Sequence, residues 1–218
     1  MVLQNRVTPF GEIVQNPARG AFTGNRGILH DATTKTLHPT RRWTTRAWIV
    51  CVCAFKGWKR EVMGRNNNGR EGWTELFFLD EATAFSAGHR PCFTCRREDA
   101  KRFQAAWAEG NDCAPPKAAE MDAVLHEERL DGRMKRLHPL PCPPEDLPDG
   151  AMVTDGSRAL LIRTGHAWRW SFTGYEAVPM PRSGLKLLTP PSTVRALRAG
   201  YAPEIHYTAL HYPPAGGD

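Results

Sequence analysis

Glu81-Ala82-Thr83-Ala84-Phe85-Ser86-Ala87-Gly88-His89-Arg90-Pro91-Cys92-Phe93-Thr94-Cys95 decides how this chain is read. Asp80, just before it, is a good helix N-cap, and Glu81 falls in the first turn, where a carboxylate favours the helix dipole. Gly88 closes that helix after two turns, because glycine accepts the left-handed backbone that ends a helix. The Cys92-Phe93-Thr94-Cys95 knuckle then opens a second helix over residues 97–109. Its Ala100, Phe103 and Trp107 share one face at helical spacing, and Gly110 ends it. In such a knuckle two thiolates approach closely enough to grip one metal ion, and backbone amides offset their charge. A redox CxxC needs a strand before it and an unbroken helix after it. Here a helix and a glycine precede it, so the motif reads as metal-binding, with zinc as the cofactor.

Working outward, residues 46–55 form the clearest strand, β-branched and aromatic throughout, with an apolarity that predicts burial on both faces. Residues 56–63 continue or return it. Arg65-Asn66-Asn67-Asn68-Gly69-Arg70 is a turn by composition, and residues 73–79 form a second strand. Residues 1–27 read as irregular, with a first strand starting over 26–30. Beyond the knuckle helix, proline-rich connectors at 111–117 and 138–150 flank a single helix over 118–136. Strands over 151–154, 158–163 and 166–172 make a meander, and a short helix covers 192–199. The pattern predicts an α+β fold. A zinc-knuckle lobe with antiparallel strands and helices, plus a linker helix, spans 1–137, and a β-rich C-terminal lobe spans 138–218.

The chain has 218 residues, enough to bury a sizeable core, and its 41% hydrophobic and 24% charged content is ordinary for a globular protein. No apolar run approaches the roughly 20 residues of a membrane span, and residues 1–6 lack a signal-peptide core, so a cytoplasmic location without membrane association is expected. Six cysteines in a reducing compartment point to metal binding rather than disulfides. The net charge of +6 is uneven, with +7 on residues 1–110 and −1 on residues 111–218. Residues 41–70 alone hold eight cations against the single anion Glu61. A polyanionic partner suits such a lobe.

Zinc takes four protein ligands at a structural site, or three and a water at a catalytic one. Cys92 and Cys95 supply two. Cys51, Cys53, His30, His38 and His89 are the candidates for the rest. On a strand, Cys51 and Cys53 point the same way but sit roughly 6–7 Å apart, since each residue advances about 3.3 Å. Sulfurs on one tetrahedral zinc lie under about 4 Å apart, so both can bind only if the strand bends. His89 is held beside the Pro91 turn and reads as packing. Cys113 and Cys142 lie in proline-rich loops and read as non-ligands.

The run from Phe77 to Cys95, with its strand, short helix and Arg90-Pro91-Cys92-Phe93-Thr94-Cys95, resembles the zinc module of the Ada-type methylphosphotriester DNA repair proteins. In that family this half-site supplies the second ligand pair. The likeness covers about twenty residues and implies a zinc-binding, DNA-associated module. The family's upstream pair is spaced more widely than Cys51 and Cys53, so its methyl-accepting role is not carried over. Gly24-Asn25-Arg26-Gly27-Ile28-Leu29-His30 is similar to the lead-in of histidine-bearing variants. The resemblance therefore implies His30 as third ligand; since one cysteine with one histidine is the easier geometry, Cys51 is the fourth, with Cys53 and His38 as alternates. Over its whole length the chain is also similar to a group of bacterial proteins that add a C-terminal β-rich lobe, a likeness that implies no activity.

Two functions follow as expectations. The first is nucleic-acid binding, most simply DNA, with Arg41, Arg42, Arg46, Lys59 and Arg60 on phosphates. The second is a zinc-dependent hydrolase-type enzyme acting on a small substrate, phosphorylated or not, with His126, Asp122 or Glu127 handling protons. Asp122 and His126 stand at i, i+4, where a carboxylate can orient an imidazole, although a salt-linked surface helix gives the same pattern. A third reading leaves the zinc purely structural. Trp168, Trp170 and Phe172 share a strand face that suits either a base-stacking platform or, more simply, a sheet core.

Overall fold

A computed structural model of the chain describes residues 2–57 and 61–210. In order, its elements are β1 (Gln4–Val7), β2 (Ile13–Gln15), β3 (Phe22–Asn25), β4 (His30–Asp31), β5 (Thr36–Leu37), β6 (Ile49–Val52) and β7 (Leu76–Phe78). Helix α1 (Glu81–Ser86), β8 (Arg90–Pro91), α2 (Arg97–Gly110) and α3 (Ala118–Arg129) follow. The rest comprises β9 (Leu130–Asp131), β10 (Met134–Lys135), β11 (Met152–Thr154), β12 (Ala159–Arg163), β13 (His166–Ser171), β14 (Gly174–Val178), β15 (Lys186–Leu187) and α4 (Pro191–Arg198). The fold is mixed α+β.

A six-stranded sheet runs in the order β2-β1-β7-β3-β6-β8, and a five-stranded antiparallel sheet in the order β14-β13-β12-β11-β15. Strand β6 sits between β3, antiparallel with Thr23 opposite Cys51, and the two-residue β8, parallel with Val50 opposite Pro91. It is shorter than residues 46–55, because these two partners engage only Ile49–Val52. In β12 an unbroken apolar run is buried on both faces: Leu160 and Ile162 join the largest core, and Leu161 faces a second one with Met152, Trp168 and Tyr175. Alternation along a strand produces that split. Trp168 thus belongs to a core. The largest core also takes Val50, Phe78, Phe85, Phe103 and Leu125, and so draws on residues from both sides of position 138.

Two stretches depart from the sequence reading. Residues 1–27 hold three strands rather than irregular chain. These strands are short and partly polar; β1 pairs locally with β2, but the other partners (β7 for β1 and β3, β6 for β3) lie far along the sequence, so local alternation does not announce them. The helix expected over 118–136 stops at Arg129. Residues 130–135 form the β9–β10 hairpin, turned at Gly132-Arg133 with Gly132 at φ +59°; glycine at the first turn position permits that backbone.

Helix α1 is set as its residues dictate. Asp80 Oδ1 accepts from Thr83 N at 2.8 Å. Asp80 Oδ2 accepts from Tyr175 Oη at 2.8 Å and from the His206 amide at 3.0 Å, tying the helix start to distant chain. Gly88 follows with φ +86°, and a Cβ there would meet Arg129 Cβ at 2.6 Å. The turn into the knuckle therefore requires glycine both for its backbone and for its room.

Candidate metal centre

Three sulfurs converge where β6, β8 and the start of α2 meet. Cys51 comes from β6. Cys92 is held beside that strand by its amide, which donates to Val50 O at 3.0 Å. Cys95 follows on the turn, closed by Arg96 N donating to Cys92 O at 3.0 Å just before α2 begins. The Sγ atoms of Cys51, Cys92 and Cys95 all lie within 4.8 Å of one another. Sulfurs sharing a tetrahedral ion with bonds near 2.3 Å sit about 3.8 Å apart. A small closure of side chains therefore brings all three onto one metal ion, and the donor set fits one.

The amide of Thr94 donates to Cys92 Sγ at 3.4 Å, as knuckle amides do toward thiolate charge. Hydrogen bonds from Cys51 first, then Cys95, hold the Cys92 thiol far below its ordinary range. Sharing its own proton with Cys92, and then with Cys95, pushes Cys51 far up, and burial adds to this. For Cys95 the bond from Cys51 lowers the pKa, but the contact with Cys92 and burial outweigh it and leave it raised. Three thiols crowded this way favour one thiolate shared among them, and a cation relieves that crowding.

Cys53 is exposed, and its Sγ donates to Ala21 O at 3.4 Å rather than joining the group. It does line the same pocket, about 510 Å³ in volume, whose wall includes all three clustered cysteines. That pocket is largely apolar, with Ile49, Val52, Phe55, Val62, Trp73 and Phe77 in its lining. Among the described lining residues there is no Lys or Arg, and Glu75 is the one carboxylate. Glu75 is 6% exposed, and its Oε2 accepts from Met63 N at 2.7 Å. Glu75 went unread in the sequence. The signal was the alternation of Trp73, Glu75 and Phe77 at i, i+2, which turns one face of that segment to the pocket.

The histidines lie elsewhere. His30 is buried with Nδ1 2.7 Å from Thr74 Oγ1 and Nε2 3.4 Å from Gly64 O, outside the thiol group. His38 is half-buried in the chain after β5, its amide donating to Leu29 O at 2.8 Å. His89 is fully buried. Its Nδ1 donates to Ala84 O at 3.2 Å, and its Nε2 accepts from Arg26 Nε at 3.3 Å. Burial, with Arg26 and Arg129 nearby, holds its pKa well below the ordinary value.

None of Asp122, His126 and Glu127 lines the thiol pocket. Asp122 accepts from Arg90 Nε at 2.8 Å and Nη2 at 2.7 Å, a buried bidentate pair, rather than orienting His126. His126 Nδ1 meets Arg129 Nη2 at 3.0 Å, and its ring stands edge-on to Trp43 at 5.6 Å. Glu127 is exposed. Arg41, Arg42 and Arg46 are exposed on the segment leading into β6, while Lys59 and Arg60 lie outside the described residues. Among the described residues no helix is long and apolar enough to cross a membrane. Comparison with known proteins gives no match to any family model, to any curated protein or to any solved structure.

Proposed function

We propose that the chain is a zinc-dependent enzyme whose metal, held by Cys51, Cys92 and Cys95, faces a small, largely apolar substrate. The observation that carries this is the place of the three sulfurs, side by side in the wall of a pocket of about 510 Å³. An all-sulfur donor set on a CxxC knuckle, with its Ada-like half-site at Arg90–Cys95, supports zinc over harder cations. Cys51, Cys92 and Cys95 would hold the metal as three protein ligands at the pocket wall. A zinc ion held there would supply Lewis acidity to the reaction. The protein's own contribution is shape and proton handling. The largely apolar lining, with Ile49, Val52 and Phe77 among its described residues, limits water around the substrate. Glu75, buried in the same wall with its Oε2 accepting from Met63 N, is the group placed to take a proton.

Elemental analysis with zinc-edge X-ray absorption on the purified chain tests this. One zinc per chain with three sulfurs and one oxygen or nitrogen is expected, unchanged in Cys53→Ser and lost in Cys51→Ser. Four sulfurs, with zinc lost in Cys53→Ser, would make the site closed and structural, and the enzyme reading would fail.

Nucleic-acid binding is a second reading, favoured by one observation. Arg41, Arg42 and Arg46 are exposed around the half-buried Trp43, and none of them forms an ion pair among the described residues. Three phosphate contacts predict a slope of roughly −3 in log K against log salt on duplex DNA. Fluorescence anisotropy between 50 and 200 mM salt should give a slope near that value, flattened in Arg41→Ala/Arg42→Ala/Arg46→Ala. Salt-independent binding, or no binding to any DNA or RNA tried, would exclude this reading.

A further inference from the structure

A second pocket, of about 100 Å³, shares no lining residue with the thiol pocket and is ringed by cations. It lies where the β1–β2 turn, the residue after β3, the segment before β6 and the β9–β10 hairpin come together. Arg26, Arg42, Arg129, Arg133 and Lys135 line it, and the one carboxylate among its lining residues, Glu12, is exposed. Arg26 and Arg129 are 2% and 1% exposed, and both guanidinium carbons stand 3.9 Å from the Trp48 ring centroid.

Their hydrogen bonds go to neutral groups. Arg26 Nη1 donates to Gly11 O at 2.8 Å, and its Nε donates to His89. Arg129 donates to Gly88 O at 3.0 Å and Arg46 O at 2.8 Å, and meets His126 at 3.0 Å. Lys135 Nζ donates to Ser86 O at 2.6 Å. Arg26 Nη2 and Arg129 Nε are buried with no hydrogen-bond partner at all. No ion pair among the described residues involves Arg26, Arg129, Arg133 or Lys135. The buried acid Asp122, whose charge acts on Arg129, is hydrogen-bonded by Arg90.

Buried charges ordinarily carry counter-charges, because removing a cation from water without one is costly. The same burial weighs on the charged forms of these groups. Burial, reinforced by Arg26 and Arg129, pushes the Lys135 ammonium down to about 7, and burial pushes Arg129 down to about 9. An anion in the pocket would reverse both effects and satisfy the orphaned guanidinium nitrogens.

We infer that this pocket is a binding site for a terminal phosphoryl group, held by Arg26 and Arg129 at its floor and by Lys135 from the hairpin. Five cations around one small space suit a dianion better than a single carboxylate, and the planar guanidinium fork matches phosphate oxygens. A space of about 100 Å³ accepts the end of a phosphate monoester, whereas a mid-chain phosphodiester would have to bring both flanking sugars with it. The site is independent of the zinc reading, since it uses none of that pocket's residues.

Calorimetric titration of the purified full chain with inorganic phosphate, at fixed ionic strength with chloride as control, tests the inference. One saturable site is expected, with Kd raised about tenfold or more in Lys135→Met and in Arg26→Met, the size of a lost charge-assisted bond. Lys135 lies on a surface hairpin, so its variant keeps the test decisive if Arg26→Met does not fold. A 5′-phosphorylated dinucleotide, compared with its 5′-hydroxyl form and with inorganic phosphate, identifies the source. Tighter binding than inorganic phosphate assigns a nucleic-acid end, and equal binding assigns a free phosphate or small ester. Absence of saturable phosphate binding, or an unchanged Kd in Lys135→Met, would overturn the inference.

Discussion

Replacing Glu81 by Ala is expected to lower the unfolding free energy by about 3–5 kcal/mol, since it strands a buried arginine without its counter-charge. The Glu81 and Arg96 side chains are 1% and 2% exposed and meet at 2.6 Å. Glu81 Oε1 also accepts from Tyr201 Oη at 2.9 Å, and its Oε2 accepts from the Glu204 amide at 2.9 Å. Burial pushes the Glu81 carboxyl up, against the hydrogen bond from Arg96. Removing the carboxylate leaves Arg96 with only the partly exposed Asp99 at 2.9 Å and the exposed Glu204 at 3.6 Å. It also orphans a tyrosine hydroxyl. For a chain of this size the drop corresponds to roughly 6–20 °C in Tm.

Three variants separate the terms. Glu81→Gln keeps acceptor and shape but loses the charge, so it should fall between wild type and Glu81→Ala. Glu81→Leu/Arg96→Met removes both charges and should be milder than Glu81→Ala alone, because an apolar pair costs less than an unpaired ion. Urea unfolding at pH 7 measures all three, and a loss under about 1 kcal/mol for Glu81→Ala would mean that the pair is effectively solvated. The position matters for the site as well. Glu81 starts α1 and Arg96 immediately precedes α2, so the pair clamps both flanks of the Cys92–Cys95 turn onto the distant Tyr201–Glu204 segment.

The knuckle could be read from sequence because everything that forms it is local. Asp80 caps, Gly88 reverses, and Cys92 and Cys95 lie three residues apart on the turn that opens α2. The strand carrying Cys51 was equally plain, as its apolar β-branched run has no helical period. Choosing among the remaining ligands was a different problem, since it depends on which strand lies beside which. Cys51 joins the pair because β8 aligns parallel to β6, a pairing across about forty residues that no local pattern encodes. His30, placed by likeness to another lead-in, sits under Thr74 and Gly64 instead. Asp122 reads as the partner of His126 at i, i+4, yet the nearer charge in space is Arg90. The cation pocket was hidden for the same reason: Arg26, Arg129 and Lys135 are scattered in sequence and gathered only by tertiary packing.

Removing the metal should be the other large perturbation, and Cys92→Ser is the cleanest way to impose it. Cys51 and Cys92 are 8% and 7% exposed, so the apoprotein keeps three thiols crowded in a poorly hydrated corner. An ion bound only to the folded form stabilises it by about 4 kcal/mol when free metal exceeds Kd a thousandfold. The core formed by Phe78, Phe85 and Phe103 does not depend on the sulfurs, so the chain should stay folded without metal but unfold at a lower denaturant concentration. Cys92→Ser is expected to drop metal from about one per chain to near zero, to lower the unfolding free energy by a similar few kcal/mol, and to abolish the further loss on adding chelator. Cys113→Ser, at an exposed thiol outside the group, should change stability by no more than about 0.5 kcal/mol and leave chelator sensitivity intact. The contrast between these two variants separates a metal effect from the general cost of losing a cysteine. Full metal occupancy in Cys92→Ser would place the ion elsewhere in the chain, and the three-sulfur centre would then have to be abandoned.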